Sequence, residues 1–131
     1  GAQGLKERAG IETQESTPEE IRGQIDTYIK EKLKKTQTFD IYDPEIKKTR
    51  KLSLEKIHEK VGKTGNYYYS CADFKDMNTG QTIDLDFDVE DKNEKLSVVD
   101  ARIHKVEGIE RYTYDEKGNR ISCKLGQESK D

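Results

Sequence analysis

The chain of 131 residues has no tryptophan, one methionine, two prolines and two cysteines, and only 31% of it is hydrophobic. Each scarcity excludes something. No apolar run approaches the roughly 18 residues of a membrane-spanning helix, and no charged and apolar secretory leader opens the chain. Cys71 and Cys123 stand too far apart for a CxxC redox motif or a zinc knuckle. An excess of positive charge is also missing: 24 basic residues face 27 acidic ones, a formal net charge of -3, which argues against nucleic acid as a partner. There is no glycine-rich phosphate loop, GxSxG, HExxH or serine triad signature, so the sequence implies no cofactor.

What the chain does have is charge, at 39% of residues against about 25% in ordinary domains. Residues 1–16 hold four apolar side chains without a burying period and read as a flexible leader, and residues 126–131 hold none and read as a loose tail. Residues 17–125 are then one domain. Thr17 is placed as an N-cap, Pro18 at the first helical position and Glu20 as the far half of a capping box. Ile21, Ile25, Tyr28, Ile29 and Leu33 follow at helical spacing and make one apolar stripe that needs a sheet to cover.

From Thr38 the period is two. Phe39 and Ile41 predict a strand that turns after Asp43-Pro44 and pairs with Leu52 and Leu54, and a parity slip before Ile57 and Val61 predicts a bulge near Glu55 or Lys56. Strands at 67–74, 83–89 and 96–106 follow, joined by the turn segments DMNTGQ and DKNEK. Asp76-x-Asn78-x-Gly80 lacks the closing glutamate of a calcium loop and is a turn. Tyr112 to Ser122 resembles one YD-repeat unit of the large Rhs-type surface and toxin proteins, and the resemblance implies a closing hairpin with its turn at Asp115 to Asn119. The expected fold is α+β: one N-terminal helix on a twisted antiparallel meander of about five to seven strands. Its element order is cystatin-like by analogy only.

Strand 83–89 alternates Ile83, Leu85, Phe87 and Val89 with Asp84, Asp86 and Asp88, which predicts one face on the helix and one in water. Setting Phe74 against Ile83 puts Tyr67, Tyr69, Cys71 and Asp73 on the aspartate side. Setting Phe87 against Val99, Leu85 against Ala101 and Ile83 against Ile103 adds Arg102 and His104, with Asp84 opposite Arg102, Asp86 opposite Asp100 and Thr82 beside His104. A one-residue slip would exchange the faces. The candidate binding surface is therefore Tyr67, Tyr69, Asp73, Asp84, Asp86, Asp88, Arg102 and His104, and it competes with plain solvation. Three aspartates on one strand stand about 7 Å apart and are not expected to converge on calcium.

Cys71 and Cys123 are the candidate disulfide, which would close a loop of about 50 residues and contribute roughly 4 kcal/mol; two separate thiols are the alternative. A nucleophilic Cys71 helped by His58 or His104 lacks a glycine elbow or a helix N-terminus to activate it. His58 and His104 occupy similar contexts 46 residues apart and with Asp84 or Glu59 are weak candidates for a metal site. The expected function is a non-enzymatic binding module of a secreted or lipoprotein-type bacterial-like protein, outside the cytoplasm, with a cytoplasmic setting as the alternative and an unidentified protein or small-molecule partner. A small enzyme or ligand carrier with a pocket between helix and sheet, and a His/carboxylate metal binder, are the alternatives.

Overall fold

The computed structural model describes residues 15–123. Most of the expected leader, and the expected tail, lie outside them. Helix α1 (Pro18–Thr36) opens on Thr17, whose hydroxyl accepts from the Glu20 N–H while the Glu20 carboxylate accepts from the Thr17 N–H. It stops at Gln37, whose left-handed backbone turns its N–H back to the Leu33 carbonyl. Among the described residues no helix is long and apolar enough to cross a membrane.

Nine strands follow: β1 (Phe39–Asp43), β2 (Lys48–Ile57), β3 (Gly62–Thr64), β4 (Tyr67–Asp76), β5 (Thr82–Lys92), β6 (Lys95–Val106), β7 (Ile109–Glu110), β8 (Tyr112–Tyr114) and β9 (Arg120–Ser122). The first seven make one curled antiparallel sheet in the order β1-β2-β4-β5-β6-β7, with β3 beside the other half of β4, and β8-β9 form a separate hairpin. This is the expected helix-on-meander α+β fold. The buried Ile21, Ile25 and Ile29 of α1 pack on Phe39, Leu52, Phe74, Leu85, Phe87 and Val89. The rings of Tyr28, Phe39, Phe74 and Phe87 meet at 5.3 to 6.3 Å between centroids, a tilted and edge-on aromatic cluster.

The β2-β4 ladder skips Glu55 between Leu54 and Lys56, the bulge that the parity slip predicted. The β4-β5 register also agrees: Phe74 pairs with Ile83, Ala72 with Leu85 and Tyr68 with Val89. The β5-β6 register differs. Phe87 pairs with Ala101 instead of Val99, Leu85 with Ile103, Asp86 with Arg102, Asp88 with Asp100 and Asp84 with Lys105.

The cause is a tight turn and two bulges. Strand pairing continues through Lys92 and Lys95, so only Asn93 and Glu94, both at positive φ, form the turn. This is shorter than the five-residue DKNEK loop and moves the register by one. A register shift across Val99 moves it again and restores parity, and a second shift across His104 moves it a third time. The inward residues of β6 are therefore Leu96 and Val98, then Ala101 and Ile103, then Val106. Val99, expected in the core ladder, stands 48% exposed.

Around Asp43 the fold is held by charge. Asp43 is fully buried on the same side of the β1-β2 ladder as Phe39 and Leu52. It accepts from Arg50 Nε at 2.8 Å and from both terminal nitrogens of Arg111 at 2.8 and 3.1 Å. Arg50 also donates to Asp76 at 2.7 Å and Gln81 at 2.9 Å. The first edge strand is thereby tied to β2, to the end of β4 and to the segment after β7. Burial pushes the Asp43 carboxyl up, but the hydrogen bonds from Arg111 and Arg50 outweigh it and hold it at about 2.

Because that value lies below the ordinary 3.8 of an unfolded aspartate, the stability it brings is present above pH ~4 and fades as the pH falls through about 2. Arg111→Ala should lower unfolding stability by about 3 kcal/mol at pH 7, the usual cost of breaking a buried pair. It should also flatten the loss of stability between pH 4 and 2. Urea denaturation across that range measures both, and an Arg111→Ala chain as stable as the parent at pH 7 would contradict the lock.

Candidate functional site

The outer face of the sheet carries the residues that the alternation assigned to it, but it is not left to water. Asp86 is 4% exposed and Asp84 9%. The cover of Asp86 is the β8-β9 hairpin, which folds back so that Tyr112, itself 7% exposed, lies on that aspartate. The Tyr112 hydroxyl donates to Asp86 Oδ2, and its ring stacks on His104 at 4.7 Å between centroids with 27° between planes. The sequence foresaw the hairpin and not its seat.

Arg102 fastens that cover. It donates to both oxygens of Asp88 at 2.9 and 3.2 Å and to Asp100 at 2.7 Å. Its Nε reaches the Tyr112 hydroxyl at 3.1 Å and its NH2 group the Tyr114 hydroxyl at 3.4 Å. The directly opposed pair Asp88 and Asp100, unfavourable by itself, is thus bridged by one guanidinium. The other opposed pair is Asp73 and Asp84. There Asp73 meets His58 Nε2 at 3.0 Å, and Asp84 is left over.

Asp84 belongs to a small recess with Asp86, Cys71 and His104. Ligand-capable atoms of Cys71, Asp84 and Asp86 all lie within 4.8 Å of one another. The Cys71 thiol donates to Asp86 Oδ1 at 3.0 Å. His104 Nδ1 stands 3.5 Å from the same oxygen. The distance alone would admit an ion pair, yet this nitrogen, like Asp84 Oδ1, is buried without a hydrogen-bond partner. The alignment fails, and both atoms are unsatisfied. The other ring nitrogen, Nε2, faces Glu110 Oε2 at 3.4 Å.

The bulge explains why His104 is here. An extra residue in one strand re-aims side chains, and on the outer side of β6 it sets both His104, against Asp86, and Lys105, opposite Asp84. Asp88 is taken by Arg102, while one oxygen of Asp84 and one of Asp86 lie within 4.8 Å of each other. Burial, and after it the charge of Asp86, raises the Asp84 carboxyl to about 6, against a smaller pull from His104 and His58. Burial, with Asp86 and Asp84, also pushes the Cys71 thiol far up. That is opposite to what a thiolate nucleophile needs.

Cys71 and Cys123 are free thiols and form no disulfide. Cys71 lies inside β4 with its sulfur bonded to Asp86, while Cys123 follows β9 and donates its N–H to the Arg111 carbonyl. Tyr67 and Tyr69 share the outer face at 38% and 36% exposure, opposite Glu90 and Asp88. The Tyr69 ring lies so close over Gly62 that a Cβ there would sit 2.3 Å from it, so Tyr69 covers the short strand β3. His58 faces Asp73 and His104 faces Asp86 and Glu110, and among the described residues no group of metal-capable donors contains both histidines. The sequence pattern does not reveal Tyr112, Tyr114 and Glu110 as parts of the site. The count of two cysteines assigns Cys71 to a bridge, although the alternation on β4 already places that residue beside the aspartates.

The recess makes a prediction with a definite sign. A carboxyl raised to about 6 in the folded chain is protonated in both states below pH ~4. Between there and pH 6 the unfolded chain gives up its proton first, so stability falls as the pH rises, by about 3 kcal/mol for a shift of roughly two units. Asp84→Asn removes the charge and should be more stable than the parent by up to about 2 to 3 kcal/mol at pH 7, with the gain vanishing near pH 4. Denaturant midpoints at the two pH values decide it, and a loss of stability at pH 7 would contradict the unpaired state of Asp84.

No family model matches the chain, and the comparisons with curated proteins and with solved structures also find no match; the cystatin-like layout accordingly stays a likeness of element order.

Proposed function

We propose that this chain is a non-enzymatic binding module and that the covered recess on its outer sheet face takes a positively charged group. One observation carries the reading: Asp84 keeps a carboxylate oxygen buried and unpaired beside a second buried carboxylate, Asp86. An unpaired buried charge costs stability, and folds keep such costs where a ligand repays them. The half-exposed Asp100 and the hydroxyl-bearing Tyr114 border the cover, which suits a cationic ligand.

The raised Cys71 thiol disfavours the enzymatic alternative, in which that sulfur would attack a substrate. With both thiols free, the disulfide no longer supports an extracytoplasmic setting, and the proposal does not depend on compartment.

Thermal unfolding at pH 7 with spermidine, methylguanidinium, Ca²⁺, Mg²⁺ and Zn²⁺ tests the reading. At least one of these cations should raise Tm by several degrees, since ligand at a hundred times its Kd adds about 2.7 kcal/mol. The rise should be absent in Asp84→Asn, which is expected to fold at least as well as the parent. The reading fails if no cation stabilises the chain, or if the gain survives in Asp84→Asn.

A further inference from the structure

Building on that binding reading and resting on it, we propose that the recess is a site for a zinc-type divalent ion held by Cys71 Sγ, Asp84, Asp86 and His104 Nδ1. Three of these donors already lie within 4.8 Å of one another. The fourth, His104 Nδ1, is 3.5 Å from Asp86 Oδ1 but outside that 4.8 Å group, so its ring has to swing inward when the ion binds. Asp84 is nine-tenths buried and keeps its Oδ1 without a partner, and one of its carboxylate oxygens belongs to this group of donors.

The chemistry of the donors selects the ion. Calcium and magnesium take all-oxygen shells, whereas one sulfur, one imidazole nitrogen and two carboxylates in four positions suit zinc. The surroundings suit it as well. Glu110 faces His104 Nε2 at 3.4 Å; a ring proton shared with that carboxylate would leave the Nδ1 lone pair for the metal, the carboxylate-histidine-metal relation common in such sites. The Tyr112 hydroxyl holds Asp86 through Oδ2, so Oδ1 stays turned to Cys71 and His104. Binding replaces the Cys71 S–H bond with a sulfur-metal bond and releases that proton to water, with no change of oxidation state.

Nδ1 and Asp86 Oδ1 now oppose each other without a hydrogen bond. A dication between them gives both atoms a bond. The thiol proton that Asp86 now accepts leaves at the same step, so each atom of the recess keeps one partner.

Equilibrium dialysis of the full chain against Zn²⁺, and cobalt substitution followed by absorption, test the assignment. One metal per chain is expected, with a thiolate-to-cobalt charge-transfer band and the strong visible bands of a tetrahedral ion. Cys71→Ser should erase the charge-transfer band, and His104→Gln should weaken binding by about 100-fold. Glu110→Gln, as a positioning residue, should weaken it about tenfold with the cobalt spectrum kept. Cys123→Ser should change nothing. Absence of stoichiometric zinc, or binding that persists unchanged in both Cys71→Ser and His104→Gln, overturns the site. If zinc fails while spermidine or methylguanidinium still stabilises the parent through Asp84, the metal assignment falls and the binding module stands. If no cation acts, both fall.

Discussion

A single carboxylate, Asp43, holds two arginines from distant parts of the chain, and through them it ties the first edge strand to the segment that leads to the cover of the outer face. Arg50 brings in β2 and, through Asp76, the end of β4. Arg111 brings in the segment that leads to the last hairpin. The next residue is Tyr112, and adjacent side chains of an extended segment point to opposite sides. Fixing Arg111 on Asp43 therefore aims Tyr112 the other way, onto Asp86 and His104. The position of the lid over the recess follows from an ion pair inside the fold.

This arrangement also accounts for a domain with so few apolar residues. The apolar core is one helix stripe against one sheet face, and where it ends the buried side chains are Asp43, Arg50 and Asp76. Such pairs add little over apolar packing of the same volume, but they are costly to break and demand particular partners. Their effect here is to specify which distant segments meet.

Much of the architecture is legible in the sequence because local rules and the hydrophobic period agree. The capping box places the start of α1. The parity slip before Ile57 places the bulge at Glu55, and facing Phe74 with Ile83 gives the whole β4-β5 ladder. The β5-β6 ladder comes out wrong because DKNEK looks like a five-residue loop, while Asn93 and Glu94 alone turn the chain. A second signal is present along the strand itself: the apolar positions of β6 change parity twice, from Leu96 and Val98 to Ala101 and Ile103, then to Val106. The site is half legible. Alternation places Cys71, Asp84, Asp86 and His104 on one face. It cannot show that Tyr112 returns to cover them, because that contact spans 26 residues and depends on Arg111. The expected disulfide rests on the number of cysteines, and it fails because the strand position of Cys71 gives that thiol a polar neighbour instead of a tether.

The turn at Asn93 and Glu94 and the bulge at Val99 act as successive frame shifts. The turn seats Leu96 and Val98 inward, and without the shift across Val99 the same register would turn Ala101 and Ile103 outward. A surface turn of this kind is ordinarily where a chain accepts insertions most freely. Here its length is arithmetically tied to a bulge several residues away, so one residue gained or lost at the tip would have to be matched by one lost or gained along the strand, and a loop exposed to solvent inherits the intolerance of the core.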